Sequence, residues 1–151
     1  MVKKQSTRKQ IVPPGTIRRL AWFRYRLRRF LRFSERMSRA CGITPQQHQL
    51  LLGVAGYTGR GWATISELAE FLQGGHNAVV GLVQRAAERG LVRKERGATD
   101  RRFVRVHLTR QGAAILATIS RRNIRELRSL QFELAHTPAP VPHDIPAAQG
   151  A

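Results

Sequence analysis

Three features of the sequence predict a mainly helical fold with one small β-hairpin, α+β in class. Thr44-Pro45-Gln46-Gln47 and Thr64-Ile65-Ser66-Glu67 each place a threonine three residues before a glutamine or glutamate, the capping box that opens a helix. Gly74-Gly75 separates two short runs of helical period, so two helices meet at a tight turn. From Phe103 to Leu108 apolar and polar residues alternate as in a half-buried strand, and a long helical pattern follows.

Taken in order, residues 1–15 are polar and basic and end in Pro13-Pro14-Gly15, which reads as a flexible basic arm. From residue 16 to about 39, Leu20, Phe23, Leu27, Phe30, Ser34 and Met37 recur at steps of three and four, with Arg24, Arg28, Arg32 and Arg36 on the opposite face. That pattern serves three arrangements: a core-packed helix with a solvated basic face, a seam pairing with a second copy, or a helix lying on a membrane surface. The last draws on Trp22, Phe23, Tyr25 and Phe33 amid the arginines. The second helix runs from Thr44 through Leu50, Leu51, Leu52 and Val54 to the glycines 56, 59 and 61.

A third helix carries Ile65, Leu68, Ala69 and Leu72 on one face. The fourth, from about His76 to Arg89, buries Val79, Leu82, Val83 and Ala86 and ends at Gly90, a position suited to a left-handed cap. Together they read as a helix-turn-helix. The charged stretch Arg93–Arg96, the turn at Gly97-Ala98-Thr99-Asp100 and the strand to Leu108 add a hairpin, the wing, over 93–107. Val104, Val106 and Leu108 point one way and Phe103, Arg105 and His107 the other. Thr109 caps a last helix with Ile115, Leu116, Ile119, Ile124, Leu127, Leu130 and Leu134, ending at about Ala135. Four prolines, Pro138, Pro140, Pro142 and Pro146, make 136–151 a disordered tail. The expected domain is therefore 16–135, a winged helix-turn-helix over 44–108 with long helices 16–39 and 109–135 forming a dimerisation region.

Charge narrows the partner. Against 27 lysines and arginines stand 9 acidic residues, a formal net charge of +18 that calls for a polyanion: DNA, RNA or an acidic membrane face. Residues 76–110 hold nine basic and three acidic side chains, and residues 1–40 hold thirteen and one. One cysteine, Cys41, allows no intrachain disulfide, and no apolar run is long enough for a signal or a span. A cytoplasmic protein is expected, with a mitochondrial transit reading of the Arg-rich start as the alternative.

Several motifs carry a resemblance to the MarR family of transcriptional regulators. Ile43-Thr44 with Gln47 resembles the start of that family's second helix, and Gly90-Leu91-Val92 its exit from the recognition helix. Asp100-Arg101-Arg102 followed by Leu108-Thr109 and Gly112 resembles its wing signature. Over about residues 16–134 this implies a homodimeric repressor on a roughly palindromic double-stranded operator. The recognition helix would enter the major groove through His76, Asn77, Ala78, Gly81, Gln84 and Arg85. Thr99, Asp100, Arg101 and Arg102 would form the wing tip, with Asp100 fixing the turn and Arg101 projecting into a minor groove; the plainer reading of those four is a charged, soluble turn.

The family commonly binds small aromatic or phenolic ligands between its DNA-binding and dimer regions, which implies an effector that relieves repression. Ala78, Val80 and Gly81 depart from the hydroxyl, polar and basic residues usual there, and a Pro-rich tail stands where a further helix usually closes the dimer. The arginines of the first helix either reach flanking phosphates or ring the interface.

Other chemistry has little support in the sequence. His48, His76, His107, His136 and His143 are scattered without metal spacing, and neither a catalytic elbow nor a phosphate loop occurs. No enzyme activity, metal or cofactor is expected, and Cys41 reads as a packed thiol more than a redox sensor. The rivals to a specific regulator are an architectural nucleic-acid binder and a winged helix used to dock proteins.

Overall fold

The computed structural model describes residues 12–97 and 103–136; most of the N-terminal arm and the proline-rich tail beyond His136 lie outside them. The elements follow in the order α1 (Pro14–Ala40), α2 (Pro45–Leu52), a π-helical turn (Gly53–Tyr57), β1 (Trp62–Thr64), α3 (Ile65–Leu72), α4 (His76–Glu88), β2 (Val92–Arg96), β3 (Val104–Leu108) and α5 (Arg110–His136). The architecture is the expected one, mainly helical with a small antiparallel sheet and long helices at both ends.

Two local expectations are corrected, and two further details emerge. Pro13-Pro14-Gly15 does not end an arm but starts α1, with Pro14 in the first turn, where its missing N–H would have no helical partner anyway. The wing is not a lone hairpin: β1 adds a third strand, in the order β1-β3-β2, with Ala63 opposite Val106. Between α3 and Gly74-Gly75, Gln73 takes the left-handed conformation at φ 50°, capping α3. Leu52 is 38% exposed, because the helical period puts only its two predecessors and Val54 under the fold.

The core forms where the winged-helix elements meet. Leu50, Leu51 and Val54 from α2 and its π-helical turn lie in one cluster with Leu68 of α3, Val79, Val83 and Ala86 of α4, Val106 of β3 and Ile119 of α5. Gly53 is buried under the Phe71 ring, where a Cβ would collide with that ring, so α2 and α3 approach closely. By contrast, the long helices leave this core. α1 and α5 run antiparallel, tied by Asn123 Nδ2 donating to Ser34 Oγ at 2.8 Å and by the Arg26–Glu133 ion pair. Beyond Met37 the seam loses cover, with Leu20 58% and Phe23 44% exposed.

Candidate nucleic-acid interface

α4 is held outward by the turns around it. At the start of α3, Thr64 N–H donates to Glu67 Oε2 at 2.8 Å, and Glu67 N–H returns to Thr64 Oγ1 at 3.3 Å. The Thr64 amide first, and then Arg60, which donates to both carboxylate oxygens, hold the Glu67 carboxyl below its ordinary range. Gly75, extended at φ −67°, ψ 144°, begins α4 with no side-chain cap. The first amides of α4 are thus presented at a positive helix end, an arrangement suited to an anionic backbone.

The predicted contact residues divide. Val79, Leu82, Val83 and Ala86 are buried, as the sequence pattern requires, which leaves His76, Asn77, Ala78, Gln84 and Arg85 exposed and Gly81 half-buried on the outward face. Thr99, Asp100, Arg101 and Arg102 lie outside the described residues. Gln84 is engaged within the chain: its amide donates to Glu88 at 2.9 Å and its carbonyl accepts from Lys94 Nζ of β2. The guanidinium of Arg85 folds back over Gly81, where a Cβ would stand 3.3 Å from its Nη1.

Two of the cavities that flank α4 reach the start of its outward face, at Asn77 or His76. One of 370 Å³ lies between α2 and α4 and includes Gln46, Gln49, Asn77, Gly81 and Arg85. The other, of 330 Å³, lies between α3, α4 and the sheet and includes Ser66, His76, Val80, Lys94 and Phe103. The sequence reading missed Gln46, Gln49 and Lys94. The first two stand in a polar run that marks only a capped helix start, and Lys94 is one of several charges on a strand.

Behind this face, the motifs that carried the family resemblance act as joints. Gln47 Oε1 accepts from Thr44 N–H at 3.0 Å and from Arg89 Nη1 at 3.0 Å, while Arg89 Nη2 donates to the Gly42 carbonyl, so the end of α4 is pinned to the start of α2. Gly90, at φ 67°, lets Leu91 N–H return to Ala86 O at 2.9 Å. Thr109 Oγ1 donates to the carbonyl oxygens of Gly90 and Leu91 and accepts from Gly112 N–H at 3.0 Å. Gly112 itself presses on the Leu91 carbonyl so closely that no Cβ fits.

The outer face of the sheet is cationic and aromatic. Arg60 lies 3.9 Å and Arg105 4.7 Å from the Trp62 ring centre, and His107 Nε2 stands 3.0 Å from Glu95. Cys41 is half-buried against the core. Among the described residues no group of three His, Cys, Asp or Glu could hold a metal, and no helix is long and apolar enough to cross a membrane.

Comparison with known proteins agrees with this geometry. A MarR family model matches residues 42–102, and no curated protein sequence matches the chain. AbsC, a MarR family transcriptional regulator from Streptomyces coelicolor, superposes with a TM-score of 0.68 at 18% identity, covering 89% of this chain and 87% of its own. Wild-type apo MarR from E. coli gives 0.60 at 25% identity, covering 83% and 85%. The F27L mutant of S. aureus MepR, bound to an oligodeoxyribonucleotide, gives 0.61 at 19%, covering 78% and 84%. The MarR family model thus falls on the winged-helix part of the chain, and the described residues as a whole have the winged helix-turn-helix fold seen in the MarR transcription regulators.

Proposed function

We propose that this protein is a homodimeric transcriptional repressor that binds a roughly palindromic operator, with α4 of each copy in the major groove and the wing tip on the minor groove beside it. One observation carries the reading: α4 buries four apolar residues inward and turns His76, Asn77, Gln84 and Arg85 outward, next to a basic sheet, on a MarR-family fold. Asn77 is suited to an adenine edge, Arg85 to guanine or phosphate, and the uncapped start of α4 to phosphate. Thr99, Asp100, Arg101 and Arg102 would supply the wing contacts. A small aromatic effector between the winged helix and the long helices would relieve binding; the 330 Å³ cavity between α3, α4 and the sheet has no lining from α1 or α5 and is not that site. The cytoplasm is where such a repressor would work.

The test is fluorescence anisotropy against the DNA upstream of the protein's own gene, further natural upstream regions and a shuffled duplex, over a series of salt concentrations. Preference for a natural site by ~10³-fold or more is the expected result. Equal, steeply salt-dependent affinity for all of them would sink the operator reading in favour of architectural binding. That second reading has its own support, since Ala78 and Gly81 offer no side-chain readout and Gln84 is already engaged by Glu88 and Lys94.

A further inference from the structure

Seven arginines of α1 are exposed and join no ion pair among the described residues; six of them, Arg18, Arg24, Arg28, Arg29, Arg32 and Arg36, share one side of the helix, with Arg19 off it. Of the acidic groups nearby, Glu35 is committed to Arg39 at 3.6 Å and Glu133 to Arg26, while Glu126 of α5 lines a cavity shared with Arg29 alone of the six. At 3.6 residues per turn the six fall within about 140° of helix circumference and extend over about 27 Å of its axis. Their arc is centred about 150° from the Leu20, Phe23 and Leu27 seam. α5 meets α1 through Arg26, Phe30 and Ser34, and pairing the exposed seam with a second copy leaves the arginines facing outward, Arg29 at the edge beside α5.

The arc is separate from the interface built on α4. α1 packs chiefly on α5 and α2, and only its C-terminal end, at Met37 and Cys41, meets the core. Arg18 stands about 28 Å along the axis from Met37.

We propose that this arc is a second DNA-binding surface that grips the phosphate backbone of a duplex other than the one on α4, so that the protein bridges two duplexes. Crowded arginines without counter-charges repel one another, and a polyanion relieves that repulsion. Guanidinium forks match phosphate oxygens, and a charged strip about 27 Å long complements a rod carrying one phosphate per ~3.4 Å of each strand, where a compact anion would meet only one or two of the six. A membrane is the poorer fit. A helix with its apolar seam in a bilayer would turn this arc toward water.

The experiment uses the full chain, a short immobilised duplex saturated with protein, and a second, labelled duplex of unrelated sequence. Wild type captures the second duplex. The R24Q/R28Q/R32Q/R36Q variant, whose substitutions are exposed and keep helix propensity, binds the first duplex as before but captures the second on the order of tenfold less. Its slope of log K against log salt for the second duplex is shallower by up to ~3.6. The corresponding four-lysine variant retains capture.

Capture that survives in the glutamine variant overturns the proposal, because the two winged helices of a dimer would then do the bridging. So does a loss of first-duplex affinity that grows with flank length, which would put the arc on the same duplex. Wild-type binding to anionic phospholipid vesicles without capture of a second duplex would assign the arc to lipid. A failure of operator preference leaves this test standing, since neither duplex needs to be an operator.

Discussion

Gly112 shows how a single residue joins parts of the fold that lie far apart in the sequence. It sits in the first turn of α5 against the Leu91 carbonyl, while Thr109, which caps that turn, holds the carbonyls of Gly90 and Leu91. A methyl group at Gly112 would push α5 away from the C-terminal exit of α4. Gly112→Ala is therefore expected to cost at least about 2 kcal/mol in urea denaturation. Its effect on DNA affinity should exceed that of a substitution on the outer face of α5. The sequence marked this residue only through a family resemblance, as part of a wing signature; its steric role needed the fold, because Leu91 is 21 positions away. His48 is a second such residue. It is 3% exposed, burial lowers its pKa below the ordinary 6.5, and its Nε2 has no partner among the described residues. The unfolded chain thus takes up a proton at His48 that the folded one resists, so stability falls as pH drops below 6.5. The slope from this one group is at most about 1.4 kcal/mol per pH unit. Urea denaturation of His48→Leu above and below that pH should show a shallower acid loss than wild type; an unchanged slope would remove His48 as its source.

At the scale of elements, what could be read in advance was whatever local chemistry determines. Both capping boxes form as the Thr-x-x-Gln and Thr-x-x-Glu spacing requires, and the buried side of α4 is the one its period marks. Two features stayed hidden. β1 has only three residues, too few to alternate, and its Thr64 also caps α3, so its strand character comes from pairing with β3. The left-handed position at the end of α3 falls on Gln73, one residue before Gly74-Gly75, because the return bond from Gly74 N–H to Ala69 O sets the register. A side chain with a Cβ in that conformation costs roughly 1 kcal/mol, which glycine avoids. Gln73→Gly is expected to raise stability by up to about 1 kcal/mol in thermal denaturation, with DNA affinity unchanged. A loss of stability would mean that the Gln73 side chain contributes more than its backbone costs. The candidate contact face was legible to the same degree: the period of α4 chose the outward residues, but the engagement of Gln84 by Lys94 joins positions on different elements.

For the whole molecule, the unresolved balance lies in the long helices. Within one chain, Leu20, Phe23, Leu31, Ile124, Leu127 and Phe132 are each more than a third exposed, all on α1 and α5 and away from the winged-helix core. Burying such side chains yields about 25 cal/mol per Å² of apolar surface, so a second copy laid along these helices has a substantial driving force. Opposing it is the charge of α1, which any pairing brings closer to its like. The seam and the arginine arc lie on nearly opposite sides of α1, which lets the apolar surfaces meet while the arginines stay in water. Dimerisation should therefore strengthen with added salt, which screens the arginines and leaves the seam intact, while DNA binding weakens. Leu20→Asp/Leu27→Asp places two carboxylates in the seam and is expected to yield a monomer in sedimentation velocity at concentrations where wild type is dimeric. The winged helix does not include either position and should keep its fold, as read by circular dichroism. Because a palindromic site rewards two linked half-site contacts, the monomer should lose much more affinity for a full operator than for a half-site. Equal losses on both would mean that the two copies do not grip DNA together.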